Sequence, residues 1–448
     1  MSAPERFAAR PHRTLVGLSV PILGSLLAEP LTGMVDTAFV ARLGAEPLAA
    51  LGVGTMVLAT VFWAFSFLGV ATQTRVATLQ GAGSRDGESG PAAARMCLIA
   101  VILALTAGVA AGLAGLPLAG PVVRAMGAEG EVAGLAETYF RLRLIGTPAM
   151  LATFATFGAL RGAHDMRTPL WVAAGMNALN IALDPILIFG LGGIPAMGVA
   201  GAAVATSASQ WFGAVWASVA ALRRLGLPDG FDWRHARGLL AAGFDLFLRA
   251  ASLNAFLILG TRQATLIGAG AGAVHQVVRS TWFFNALFMD SFAISGQSLV
   301  ANLLGNGDIA LARRAARVVC LWSAGAGAAL GLAMLAAEPW MVAVFIPPVA
   351  STLFPLPWRI AAATQPISGV TFGTDGVHFG TADFTFLRNA VLAALLAGGA
   401  VAVWADPASP GALHAIWWGF TVWSGLRAVL GTLRVWPGIG RAPLAKGV

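Results

Sequence analysis

Twelve apolar runs punctuate the chain, at 14–38, 47–80, 92–118, 132–160, 168–190, 198–222, 238–265, 273–302, 314–345, 352–377, 384–404 and 412–433. About 20 consecutive apolar residues cross the hydrocarbon core of a bilayer, and in lipid only a helix or a closed barrel satisfies its own backbone. Runs of this length therefore predict an all-α membrane protein of twelve transmembrane helices. The second, fourth, eighth and ninth runs exceed the hydrocarbon thickness and are expected to tilt or to project into solvent. Hydrophobic residues are 57% of the 448 and charged residues only 11%, against about 25% charged in soluble domains.

Orientation follows from arginine placement. Arg6, Arg10 and Arg13 precede the first run; Arg75, Arg85 and Arg95, then Arg161 and Arg167, then Arg223, Arg224, Arg234 and Arg237, then Arg313, Arg314 and Arg317, mark every second connection; Arg434, Arg441 and Lys446 follow the last run. The alternate segments 191–197, 268–272 and 405–411 have no arginine. By the positive-inside rule both termini are cytoplasmic. The net charge of +8 thus reads as loop anchoring rather than nucleic-acid binding, which would need a basic cluster with interleaved aromatics. Cys97 and Cys320 both fall in apolar runs and suggest neither a disulfide framework nor a metal site. The first run is longer than a signal-peptide core and is expected to remain as a spanning helix.

The chain repeats itself. Gly44-Ala45 recurs as Gly268-Ala269 and Gly81-Ala-Gly83 as Gly305-Asn-Gly307, both 224 positions on. Thr147-Pro148 matches Gln365-Pro366, and Gly158, Gly162 and Asp165 match Gly376, Gly380 and Asp383, all at 218. Even Cys97 and Cys320 lie 223 apart. The predicted organisation is a six-helix lobe over 1–222, a cytoplasmic linker over 223–237, and a second six-helix lobe with a short tail over 238–448. An even helix count makes the repeats parallel, related by an axis along the membrane normal with a central cleft, the plan of two-lobed transporters. Gly81-Ala-Gly83 lacks the context of a phosphate loop and is expected to be a tight cytoplasmic turn.

Against this apolar background the buried polar residues stand out. An ionisable side chain deep in a bilayer costs about 3 kcal/mol or more and points to a cavity, a partner or an ion. Asp36 closes the first run, seven residues after Glu29 and on the same helical face; Pro21 and Pro30 interrupt that helix's hydrogen-bond ladder and would let it bend. Asn177, Asn180 and Asp184, spaced i, i+3, i+7, share one face of the fifth run, and Pro185 frees the carbonyl of Ile181. A carboxylate with amide oxygens suits a proton or a hard cation. Thr206, followed by Ser207, Ser209 and Gln210, offers a hydroxyl ligand from the sixth run. Polar residues between helices also act as glue worth about 0.6 kcal/mol each, which is the competing account for Thr206, Ser207, Ser209 and Asn177. Asp290 and Asp375 occupy the second half as either a second proton site or structural partners of Arg249, Arg262 or Arg279. Gly260 takes the place of Asp36 at the 224 offset, so the acidic pair belongs to the first half alone. His164 and Asp165 are expected to be solvated in a loop, and His275 to lie at the outer start of a helix. No nucleophile with a matched base is evident, so no enzymatic activity and no cofactor are expected.

The residues also resemble a known family. Pro30-Leu-x-Gly-x-x-Asp36-Thr, Leu160-Arg-Gly162 with Arg167-Thr-Pro169, Asn180-x-x-x-Asp184-Pro185, Ala273-Val-His275-Gln276-Val277, Asp290-x-Phe-Ala and Asp375-Gly-x-x-x-Gly380, together and in order, resemble the multidrug and toxic compound extrusion family, in particular the branch typified by DNA-damage-inducible protein F. The resemblance implies a first-lobe proton or sodium site at Asp36, Asn180, Asp184 and Thr206, with no metal beyond a possible Na⁺ there. It implies antiport of organic, often cationic or amphipathic compounds, H⁺ being favoured over Na⁺, in a bacterial inner membrane. Glu29, Met34, Met176 and Asn177 are candidate substrate contacts, with Phe154, Phe157 and Trp211 as further apolar lining. The other bacterial branch carries a Glu in the seventh helix; here Arg249 stands near that place. The chain is expected to work as a monomer with small organic substrates and lipid as its only partners. The rival reading is a flippase or exporter of a lipid-linked or anionic metabolite, which would need a large cationic cavity.

Overall fold

The computed structural model describes residues 3–445 apart from 87–88, 229, 231–232, 405, 410 and 441, and no side chain is described over 84–90 or 231–235. The loop anchors Arg85, Arg234, Arg441 and Lys446, and part of the 223–237 linker, lie outside what is described.

Among the described residues every regular element is a helix. Fifteen α-helices follow in order: α1 Ala3–Ala9, α2 Pro11–Val40, α3 Ala45–Phe65, α4 Phe67–Asp86, α5 Ser89–Ala125, α6 Gly130–Leu144, α7 Thr147–Gly162, α8 Arg167–Phe189, α9 Val199–Leu225, α10 Trp233–Ile267, α11 Ala269–Gly305, α12 Ile309–Phe345, α13 Pro355–Gly380, α14 Phe384–Trp404 and α15 Ala412–Val435. Each of the twelve runs becomes one helix or a consecutive pair: the second run divides into α3 and α4 at Ser66, and the fourth into α6 and α7, bent by 48°. Eight described stretches are long and apolar enough to cross a membrane, nine if the bent pair counts as one. The other three runs, α9, α13 and α15, carry many buried polar residues, among them Ser207, Ser209, Thr364, Thr374 and Ser424. Their polar groups face protein rather than lipid, which lowers their hydropathy without making them poor helices.

Contacts gather into two compact units, residues 24–243, and residues 1–23 together with 244–448. The boundaries fall inside α2 and α10, because a continuous helix carries the chain from one set of neighbours to the next. The opening turns of α2 bond within the second of these units: Ser19 Oγ lies 2.9 Å from Ser295 Oγ, and Trp322 Nε1 donates to His12 Nδ1 at 3.0 Å.

The internal repeat is visible in the packing of each unit. In unit 24–243, α7 packs on α4, α5 and α9; in the other, α13 packs on α11, α12 and α15. A Cβ placed on Gly162 would meet the carbonyl of Gln73 at 2.7 Å and Val76 Cβ at 2.9 Å; on Gly380 it would meet the carbonyl of Gln297 at 2.8 Å and Val300 Cβ at 3.0 Å. These partners are 224 positions apart. One turn earlier, Gly158 abuts the Gly69 carbonyl and Gly376 the Ala293 carbonyl in the same way. Close helix approach through small residues is how membrane helices gain packing without a hydrophobic drive. The turns repeat too: Gly44 (φ +128°) and Gly268 (φ +141°) precede α3 and α11 in a backbone region that favours glycine, and His164 and Ala382 both take φ near +60°.

Two expectations give way. Gly81–Gly83 is not a turn: it lies within α4, which continues to Asp86, while its counterpart ends α11 and turns at Gly307 (φ +78°). The propagating helix ahead of Gly81 has no competing cap, so glycine alone does not stop it. Asp165 is not merely solvated: it caps α8, accepting from Thr168 N at 3.0 Å and Thr168 Oγ1 at 2.6 Å.

Candidate functional site

Three helices of unit 24–243 bring the predicted residues together. α8 and α9 form an antiparallel pair in which Gly201 of α9 sits directly on the Leu187 carbonyl of α8. That approach aligns the polar stripe of α8 with Thr206. α2 is tied in by Asn177, whose Nδ2 donates to the Ala28 carbonyl at 2.8 Å. Asn177 is therefore occupied as an interhelical link. Pro21 and Pro30 both lie inside α2, which runs unbroken from Pro11 to Val40; each leaves one carbonyl of the preceding turn without its donor.

At the centre, Asp36, Asn180 and Asp184 are buried. The carboxyl groups of Asp36 and Asp184 lie within hydrogen-bonding reach of each other. Asn180 Nδ2 donates to Thr206 Oγ1 at 3.4 Å, and Thr206 Oγ1 is 3.5 Å from Asp36 Oδ2. Thr206 has one hydroxyl hydrogen, and its short bond of 2.8 Å goes to the Ala202 carbonyl. It accepts from Asn180, and Asp36 Oδ2 at 3.5 Å is a second, longer acceptor for its hydrogen. Asp36 Oδ1, Asn180 Oδ1 and both oxygens of Asp184 are buried and accept no hydrogen bond. An isolated buried carboxylate is among the costliest groups a protein can hold, and two together are costlier still. An oxygen-only cluster of this kind is completed by a proton shared between the acids or by a hard cation.

The remaining candidates surround this centre more loosely. Glu29 presents an exposed surface where Asp36 is buried, although protein surrounds its carboxyl group closely enough to desolvate it. Met34 is 69% exposed. Met176 is half-buried, seated against Gly213 of α9. Trp211 is partly exposed, with its indole N–H on the Ile145 carbonyl at 3.0 Å. Phe154 and Phe157 are half-buried; Phe154 packs edge-on against Phe62, and Phe157 lies under Arg161.

One participant escaped the sequence reading. Arg143, in the last turn of α6, is buried, donates from Nη1 to Gln210 Oε1 at 2.9 Å, and exerts its charge on both Asp36 and Glu29. The signal was present: an arginine inside the 132–160 run is as anomalous in lipid as an aspartate.

The second unit is built differently. Asp375 is buried, and its Oδ2 accepts from Arg249 at 2.6 Å and Arg427 at 2.5 Å. Arg427 lies over Trp423 and Arg249 over Phe379, and Asp290 is within the electrostatic reach of Arg427. Of the partners foreseen, Arg249 engages Asp375; Arg279 bonds Gln276 at 3.2 Å and Arg262 is exposed. Arg427 was not anticipated. His275 is enclosed by Trp417 and Phe420, with Thr261 Oγ1 3.4 Å from its Nε2.

The chain is similar to known proteins along most of its length. The MatE family profile matches residues 21–186. Protein DETOXIFICATION 44, chloroplastic, of Arabidopsis thaliana is 30% identical, covering 94% of this chain and 81% of that protein. DNA damage-inducible protein F of Escherichia coli is 27% identical, covering 94% and 92%. A crystal structure of a MATE protein in the bent conformation superposes with a TM-score of 0.85 at 22% identity, covering 97% and 96%.

Proposed function

This chain belongs to the MatE family of multidrug and toxic-compound efflux transporters, and from that premise we propose that it exchanges a coupling cation, H⁺ ahead of Na⁺, for organic cationic or amphipathic compounds through the Asp36–Asp184 centre. The observation that carries the proposal is the set of buried oxygens on Asp36, Asn180 and Asp184 that no donor satisfies. A site left so short of positive charge is stable only when a cation or proton enters it, and it then has less to offer a cationic substrate. On this reading Asp36, Asn180, Asp184 and Thr206 hold the coupling ion, and Glu29, Met34 and Met176 meet the substrate. Asn177 supports them by holding α8 to α2. Residues 1–222 and 238–448 act as two lobes joined by 223–237, in a bacterial inner membrane with both termini cytoplasmic. Bending of α2 at Pro21 or Pro30 is the device that opens and closes the first-lobe site.

In the second unit, Asp375 is held by two guanidiniums. Such a pairing supplies its own positive charge, which favours a single ion site in the first lobe. The anionic-substrate alternative would need free guanidiniums, and Arg249 and Arg427 are both spent on Asp375.

The test uses proteoliposomes loaded with ethidium, under separately imposed pH and sodium gradients. Extrusion driven by one gradient is expected in the wild type and is expected to vanish in Asp36→Asn, which keeps the shape of the side chain without its charge. Gradient-driven extrusion by Asp36→Asn at the wild-type rate would remove the proposal.

A further inference from the structure

α6 ends where the chain bends by 48° into α7. At this break α9 bonds two backbone carbonyls: Ser207 Oγ donates to the Leu142 carbonyl at 3.1 Å and Trp211 Nε1 to the Ile145 carbonyl at 3.0 Å. The third tie is Arg143 Nη1 to Gln210 Oε1 at 2.9 Å. Gly146, at the bend, leaves room for this clamp, since a Cβ there would lie 3.1 Å from Ser207 Oγ and would collide with the Gln210 amide. Gln210 is one helical turn beyond Thr206, on the same face of α9, and Thr206 is the residue that touches Asp36. The clamp therefore sets a buried guanidinium, 6% exposed, beside the ion centre rather than against lipid.

Other charges on the helices packed around α6 are engaged or remote. Glu137 pairs with Arg141 at 2.6 Å. Glu46 is in the first turn of α3, Arg124 in the last turn of α5, and Arg223 and Arg224 in the last turn of α9. Arg161 of α7 bonds Ser25 at 3.0 Å. The carboxyl groups on which the charge of Arg143 acts are those of Glu29 and Asp36.

We infer that Arg143 is a cation built into the ion site, a positioning residue that neutralises part of the charge of Glu29 and Asp36 and so reduces the positive charge that the transported species must supply. The inference rests on the transport reading above and deepens it. A guanidinium fixed to α9 cannot leave with the substrate, so it lowers the site's hold on the coupling cation to a level from which the cation can be released.

A double-mutant cycle between Arg143→Met and Asp36→Asn, read as thermal melting of the full-length protein in detergent, is the first test. A built-in cation predicts a double variant that melts well above the sum of the two single shifts; additive shifts overturn the inference. The second is ethidium extrusion from proteoliposomes as the coupling cation is varied. Arg143→Met is expected to reach half-maximal extrusion at about tenfold less coupling cation, and Arg143→Lys within about threefold of wild type. Equal half-saturation in wild type and Arg143→Met overturns the inference, since a merely structural role would lower the amount of active protein without moving that concentration. Should Arg143→Met fail to fold, recovery of folding in the double variant supports the inference and its absence defeats it. Wild-type protein that extrudes no ethidium under either gradient would remove the transport reading alone and leave the melting cycle to judge Arg143.

Discussion

The tightest helix crossings make the most direct demand on sequence, and Gly162 shows how much. Its missing Cβ would lie 2.7 Å from the Gln73 carbonyl, 0.7 Å inside the 3.4 Å at which ordinary contact begins, with Val76 Cβ at 2.9 Å and Ala77 N at 3.1 Å. Two of these three obstacles are backbone atoms, so α4 and α7 must separate rather than a side chain turn aside. Overpacking of this order costs about 1–3 kcal/mol. The variant Gly162→Ala also gains about 1 kcal/mol of helix propensity, so the comparison needs a glycine where only the gain applies. Gly425 in α15, with nothing within 4 Å of its would-be Cβ, supplies it. Gly162→Ala is expected to melt about 2–10 °C below Gly425→Ala, followed by intrinsic tryptophan fluorescence in detergent and by the fraction remaining monodisperse after heating. Because Gly380 meets Gln297 and Val300 at 2.8 and 3.0 Å, Gly380→Ala should fall by a similar amount. Equal melting of Gly162→Ala and Gly425→Ala would refute the crossing geometry, and Gly380→Ala melting level with Gly425→Ala would refute the structural equivalence of the two units.

Arg427→Met leaves the buried Asp375 with Arg249 as its remaining guanidinium and is expected to cost about 3–5 kcal/mol, with Arg427→Met/Asp375→Asn recovering a large part; melting curves of the two variants check it. Thr206→Val removes an oxygen from the proposed ion centre at nearly constant volume and should raise the half-saturating coupling cation about fivefold, while Thr206→Ser stays near wild type; a Thr206→Val transport curve superimposable on wild type would place the hydroxyl outside the site.

The sequence by itself determined the membrane fold, because apolar length and arginine placement are one-dimensional quantities that a bilayer reads directly. It also determined the repeat, and it singled out Asp36, Asn180 and Asp184, since a lone acid in an apolar run has few cheap explanations. Which polar groups were already spoken for was a tertiary decision. Asn177 shares a stripe with Asn180, yet a backbone carbonyl of α2 claims it; Asp375 could be read either as a second proton site or as an arginine's structural partner until Arg427 arrived from 52 positions away. Arg143 was hidden for the same reason. Helical periodicity says which face a side chain takes, but its electrostatic meaning depends on what another helix places opposite it, and that is fixed only when small residues such as Gly201 and Gly146 let particular helices come close.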